Sequence, residues 1–116
     1  MIENPILPGF NPDPSICRVG EDYYIATSTF EWFPGVQIHH SKDLVNWRLL
    51  GHALNEERLL DLRGVPSSGG VWAPALSYYD GIFYLCYTVV HQHESVTKDT
   101  PNYLITSRDL SGPWLD

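Results

Sequence analysis

The sequence predicts an all-β chain built from two antiparallel four-stranded units of the β-propeller-blade kind. Internal similarity is the first reason. Asn11–Tyr24 aligns without gaps on Val71–Tyr84, so that Pro14 meets Pro74, Ile16 meets Leu76 and Tyr24 meets Tyr84. A second, shorter repeat follows each copy: Ser41-Lys-Asp-Leu-Val-Asn-Trp47 returns as Ser107-Arg-Asp-Leu-Ser-Gly-Pro-Trp114, with one extra residue. Short β-branched and aromatic runs bounded by Gly, Pro and Asp complete the pattern. A strand-rich unit recurring at about 60 residues fits propeller blades. Propellers close with roughly four to eight blades, so two units leave the ring open and read as the front of a longer protein. A complete small β-sandwich is the alternative.

The elements follow in order. Residues 4–14 carry Pro5, Pro8, Pro12 and Pro14 and are therefore extended or turning. Ser15–Val19 reads as a strand, Gly20-Glu21-Asp22 as a turn and Tyr23–Thr29 as the next strand. Pro34-Gly35 signals a turn, and Val36–Ser41 alternates as a half-buried strand does. Arg48–Leu54 closes the first unit, giving a blade over about 11–54.

Residues 55–64 are expected to form a short helical insertion. Asn55 is the cap, Glu56 and Glu57 sit in the first turn, Gly64 ends it, and Leu59, Leu60 and Leu62 pack. The second, incomplete blade spans about 71–116. Ala75–Tyr79 and Ile82–Val90 are strands joined at Asp80-Gly81, and Tyr103–Ser107 is a third.

Bulk properties narrow the function. The 116 residues are 43% hydrophobic and 13% aromatic, which excludes a disordered chain. The formal net charge is −7, and the seven basic residues are scattered, so no nucleic-acid partner is expected. No apolar run is long enough for a membrane span. The first residues lack the basic and apolar regions of a secretory signal, which favours a cytoplasmic location. Cys17 and Cys86 lack metal-ligand spacing and are expected to be buried free thiols.

Asp13 is the main chemical candidate. It falls on Ala73 in the second copy, and Pro12 and Pro14 hold its backbone stiffly. A catalytic base needs such a fixed carboxylate, although an ordinary turn aspartate has the same local sequence. Trp72 precedes Ala73-Pro74, the counterpart of Asp13-Pro14, so an indole lies near whatever pocket Asp13 faces. Phe30, Trp32 and Phe33 form an aromatic loop that either walls a pocket or packs between blades. His91 and His93 are two apart but have no third ligand, and are read as solvated loop histidines. No phosphate loop, metal motif or serine-nucleophile motif is present, and no metal or cofactor is expected.

At Asn4-Pro-Ile-Leu-Pro-Gly-Phe-Asn-Pro-Asp-Pro-Ser15 and Gly69-Gly-Val-Trp-Ala-Pro-Ala-Leu-Ser77 the chain resembles glycoside hydrolase family 43, and within it the two-domain β-xylosidases. The resemblance runs over essentially the whole chain. It implies two blades of a five-bladed propeller with an axial pocket. It also implies inverting hydrolysis with Asp13 as general base, and pocket walls from Phe30, Trp72 and Ala73. The implied substrates are xylo-oligosaccharides or other xylosyl or arabinosyl compounds. The acid glutamate and the pKa-modulating aspartate of the family would lie beyond Asp116. None of Glu3, Glu21, Glu31, Glu56, Glu57 and Glu94 sits in the acid's motif. The 116 residues alone are therefore expected to be inactive and poorly folded, with unpaired outer edges. An α-L-arabinofuranosidase or arabinanase of the same family, and a non-catalytic carbohydrate-binding propeller, stay open. So does the oligomeric state of the longer parent, a homo-oligomer included.

Overall fold

The computed structural model describes residues 1–116. Two four-stranded antiparallel sheets stand side by side. The first runs β1 (Ser15–Val19), β2 (Asp22–Thr27), β3 (Gly35–Ser41) and β4 (Arg48–Leu54) in sequence order. In the second, β7 (Ile82–Val90) is central. It pairs on one edge with β5 (Gly70–Val71) and β6 (Ala75–Tyr79), and on the other with β8 (Asn102–Ser107). No helix in the structure is long and apolar enough to cross a membrane.

The repeat is visible in the hydrogen-bond register. Ser15↔Ala26 and Ile16↔Ile25 in the first sheet become Ala75↔Cys86 and Leu76↔Leu85 in the second, a uniform offset of 60 residues. Both hairpins close through a glycine at positive φ, Gly20 (61°) and Gly81 (80°), a conformation without penalty only for glycine. The 41–47 and 107–114 turns repeat too. Ser41 Oγ accepts the amides of Asp43 and Leu44, and Ser107 Oγ accepts that of Asp109. These side chains replace ladder bonds where each chain leaves its sheet.

The core lies between the sheets. Ala26, Ile38 and Leu54 of the first meet Leu76, Phe83, Leu85 and Ile105 of the second, with Tyr24 edge-on to Phe83 at 5.7 Å. Burying a side chain such as Leu85 or Ile105 contributes roughly 2 kcal/mol each. The inner strands are also pinned by Leu76 N donating to Ser15 Oγ at 3.0 Å. On the opposite faces Ile16, Cys86 and Leu104 are exposed.

Two expectations need correction. The 55–64 insertion is not helical. It makes one turn, in which the amides of Leu59 and Leu60 both reach Glu56 O, and then runs irregularly. Packing explains this: Leu59 and Leu60 are drawn into the core, and Tyr87 OH donates to Leu59 O at 2.6 Å, a bond a continuing helix would take for itself. Cys86 is exposed rather than buried, because it alternates with core residues on β7, while Cys17 is buried. Gly70–Val71 forms a short β5 on the same edge of β7 as β6, so the second sheet remains one strand position short of the first. Its outer partner is only begun, by the Thr106↔Leu115 bridge.

Candidate active site

The two inner strands share an irregularity. Between β5 and β6, the run Trp72-Ala73-Pro74 holds one residue more than the facing part of β7. In the first sheet the same excess separates the Pro12–Ser28 backbone bond (3.0 Å) from the Ser15↔Ala26 pair. Such bulges turn a side chain out of the ladder and recur beside active sites. The turned-out residue is Asp13 in one unit and Ala73 in the other.

Asp13 adopts φ 53°, a left-handed conformation that costs a non-glycine residue free energy. Its carboxylate is exposed and accepts the Ser28 Oγ hydrogen at 2.9 Å, Pro12 O being the more distant acceptor at 3.4 Å. Ser28 is completely buried just beyond the end of β2, so the bond fixes an exposed acid to the rigid frame. Phe30 is also left-handed, at φ 51°, and its ring lies 5.8 Å from that of Phe10.

The Phe30 backbone joins the two units. Its N–H donates to Val71 O and its carbonyl accepts from Val71 N, both at 2.9 Å. Phe30 is thereby set beside the residue preceding Trp72, and both stand at the same end of the inner strands as Asp13. A Cβ on Gly70 would fall 2.1 Å from Phe30 O, so only glycine admits this approach. Trp72 is half-buried and donates Nε1–H to Ser68 O at 2.8 Å. The His93 ring stands 6.1 Å from the indole, and Lys98 Nζ lies 5.6 Å from its centroid. Ala73 is exposed.

Trp32 and Phe33 are exposed and, with Phe10, line an adjoining cleft of about 290 Å³. His93 departs from the expectation of a solvated loop histidine, since Nε2–H donates to Ser67 O at 2.9 Å; His91 is exposed. Ser28 and Lys98 are not among the residues the sequence singles out, and Glu31 enters there only as a glutamate outside the acid's motif. Only strand alternation hinted at Ser28, and nothing local marks the other two.

The largest groove, about 580 Å³, lies elsewhere, between β3–β4 and the turn after β8. There Asp22 meets His40 Nε2 at 2.6 Å and Lys42 Nζ at 3.1 Å, and these two bonds lower its pKa. Burial lowers the pKa of His52 nearby. Asp13 does not line this groove, and a cleft open between two sheets need not be where chemistry occurs. The carboxylate anchored to Ser28, at the strand ends that also carry Phe30 and Trp72, is the stronger candidate.

The sequence profile of the glycosyl hydrolases family 43 matches residues 2–116. A "Beta-xylosidase" of Bacillus subtilis is 65% identical over 97% of this chain and 21% of its own length. A "Non-reducing end alpha-L-arabinofuranosidase" of Bacteroides ovatus is 48% identical over 97% of this chain and 21% of its own. The crystal structure of a xylan beta-1,4-xylosidase from Bacillus halodurans superposes with TM-score 0.98 at 61% identity, covering 100% of this chain and 22% of that one. The chain thus spans about a fifth of the length of the curated relatives it matches. Its two sheets are two adjacent blades of the five-bladed propeller of these enzymes. By sequence profile, register and superposition, the chain belongs to the glycosyl hydrolases family 43.

Proposed function

We propose that this chain supplies the general base and part of the sugar pocket of an exo-acting β-xylosidase that releases xylose from the non-reducing end with inversion. The observation that carries the reading is the Asp13 carboxylate, exposed yet held by the buried Ser28 hydroxyl. Asp13 is the general base. It takes a proton from a water as the water oxygen bonds to the anomeric carbon, while the glycosidic C–O bond breaks on the opposite face. A second carboxyl, from outside this chain, protonates the leaving oxygen. Inverting enzymes hold such a pair roughly 6.5–9.5 Å apart, which leaves room for the water. Phe30 and Trp72 present flat apolar walls to the sugar ring, and Ala73 leaves space where a larger side chain would fill the pocket. By itself the chain offers a base without an acid, and it is inactive.

The resemblance of the Bacteroides ovatus arabinofuranosidase favours α-L-arabinofuranosides as second substrates, since both sugars present similar hydroxyl groups. Proton NMR of the full-length protein acting on an aryl β-xyloside tests the reading. The first sugar signal belongs to α-xylose if the reaction inverts. Initial β-xylose contradicts the assignment of Asp13, because a retaining enzyme needs a nucleophile there. Turnover of a xyloside chromogen by residues 1–116 alone contradicts the need for an external acid.

A further inference from the structure

We propose that Glu31 is a positioning residue for the Trp72 indole, acting through the backbone of Ser68. The inference rests on the reading of Trp72 as a sugar-pocket wall. Glu31 follows Phe30, whose backbone is bonded on both sides to Val71, and lies in a turn closed by Trp32 N donating to Thr29 O at 3.0 Å. Its Cα is therefore fixed with respect to the second blade. Gly70 allows the close approach: a Cβ there would come within 2.9 Å of Glu31 N.

From that position the carboxylate crosses between the blades. Glu31 Oε2 accepts the Ser68 amide at 2.9 Å. Ser68 is left-handed, at φ 63°, inside a turn closed by Gly69 N donating to Pro66 O. The Ser68 carbonyl then accepts the Trp72 indole N–H at 2.8 Å. One peptide unit further back, Ser67 O accepts from His93 on the other side of the turn.

The turn that sets the indole's direction is thus held from the second blade by His93 and from the first by Glu31. A hydrogen bond to a carboxylate is stronger than one between neutral groups, and here it fixes a residue in a backbone conformation unfavourable to serine. Without the acceptor, the 66–69 turn can relax and the indole loses its fixed plane. Glu31 touches no reacting atom in this account, and its effect falls on sugar binding rather than on proton transfer.

The test compares Glu31→Gln with Glu31→Met in the full-length protein, with Asp13→Ala alongside. The two Glu31 variants have similar length, but only Gln keeps a carbonyl acceptor for the Ser68 amide. Glu31→Met raises KM for an aryl xyloside about tenfold while kcat changes by less than about threefold, the pattern of lost ground-state binding. Glu31→Gln recovers KM to within about threefold of the parent. Xylose titration followed by tryptophan fluorescence, with Trp72→Phe identifying the indole's share, shows the same order. Equal KM values for Met and Gln, an unchanged KM in Met, or failure of the Met variant to fold would each overturn the proposal. A fully active Asp13→Ala would instead sink the catalytic reading, leaving the fluorescence comparison to judge Glu31 separately.

Discussion

Ser28 Oγ stands 2.9 Å from Asp13 Oδ2, joining a fully buried residue just beyond the end of β2 to an exposed, left-handed aspartate. The bond turns a loop carboxylate into part of the frame. A base that must meet water in one geometry gains from such an anchor. Ser28→Ala in the full-length protein is expected to lower kcat/KM about tenfold, the scale of one hydrogen bond to a charged group. Steady-state kinetics on an aryl xyloside check this, and an unchanged kcat/KM would mean that Asp13 is held by other means.

Gly70→Ala tests the junction between the blades. The new Cβ would lie 2.1 Å from Phe30 O on a backbone at φ 76°. Carbonyl atoms of a ladder cannot give way as a flexible side chain can, so the Phe30–Val71 bridge must break. A loss of about 3 kcal/mol is expected in denaturant unfolding of the full-length protein. A loss below about 1 kcal/mol would show that the junction tolerates separation.

Leu60→Ala examines the insertion. Leu60 is 3% exposed and lies against Gly35, where an added Cβ would be 2.5 Å from its Cδ2. The expected cost is about 3 kcal/mol, as for other large-to-small changes in a core. Glu57→Gly in the same segment is expected to cost only a few tenths of a kcal/mol, because a single turn has little helix to lose. Paired melting curves separate the two.

Tyr87 provides a pH signature. Burial pushes its phenol up to about 12, and its hydroxyl donates to Leu59 O. The unfolded phenol titrates near the ordinary value of about 10. The protonated form is therefore favoured by folding, and its stabilisation is complete below about pH 10 and lost as pH rises to about 12. Tyr87→Phe is expected to be less stable at neutral pH by roughly 1–2 kcal/mol, leaving Leu59 O without its donor. The gap to the parent should narrow across the alkaline window. Melting temperatures from pH 9 to 12 measure it, and a gap constant over that range would remove Tyr87 as its source.

Much of this arrangement was legible in the sequence, because its repeat is a repeat of pairing. Ser15–Val19, Arg48–Leu54, Ala75–Tyr79 and Ile82–Val90 fall within the strand bounds read from alternation and turn residues. Asp13 stood out because the second copy has alanine in its place. The resemblance pointed to Phe30 and Trp72, and the structure puts them at adjoining strand ends through the Val71 bridge.

The misreadings came from local signals overruled at a distance. Capping residues and leucines predicted a helix at 55–64, but tertiary burial of Leu59 and Leu60 and the Tyr87 hydroxyl took that backbone elsewhere. Two-residue β5 is too short to carry a periodic signal. Glu31 meets Ser68 across the blade junction, 37 residues away, and His93 meets Ser67 from 26 residues away. No spacing rule reaches across such separations.

Turnover by Asp13→Ala tests the central claim most directly. The full-length variant should retain the parent's melting temperature and its affinity for xylose, because Asp13 is exposed and outside the core. Its kcat on an aryl β-xyloside should fall by about 10²–10⁴-fold, the range contributed by a general base. A folded variant whose kcat stays within about threefold of the parent would contradict the account, and the base would have to be sought in another part of the protein.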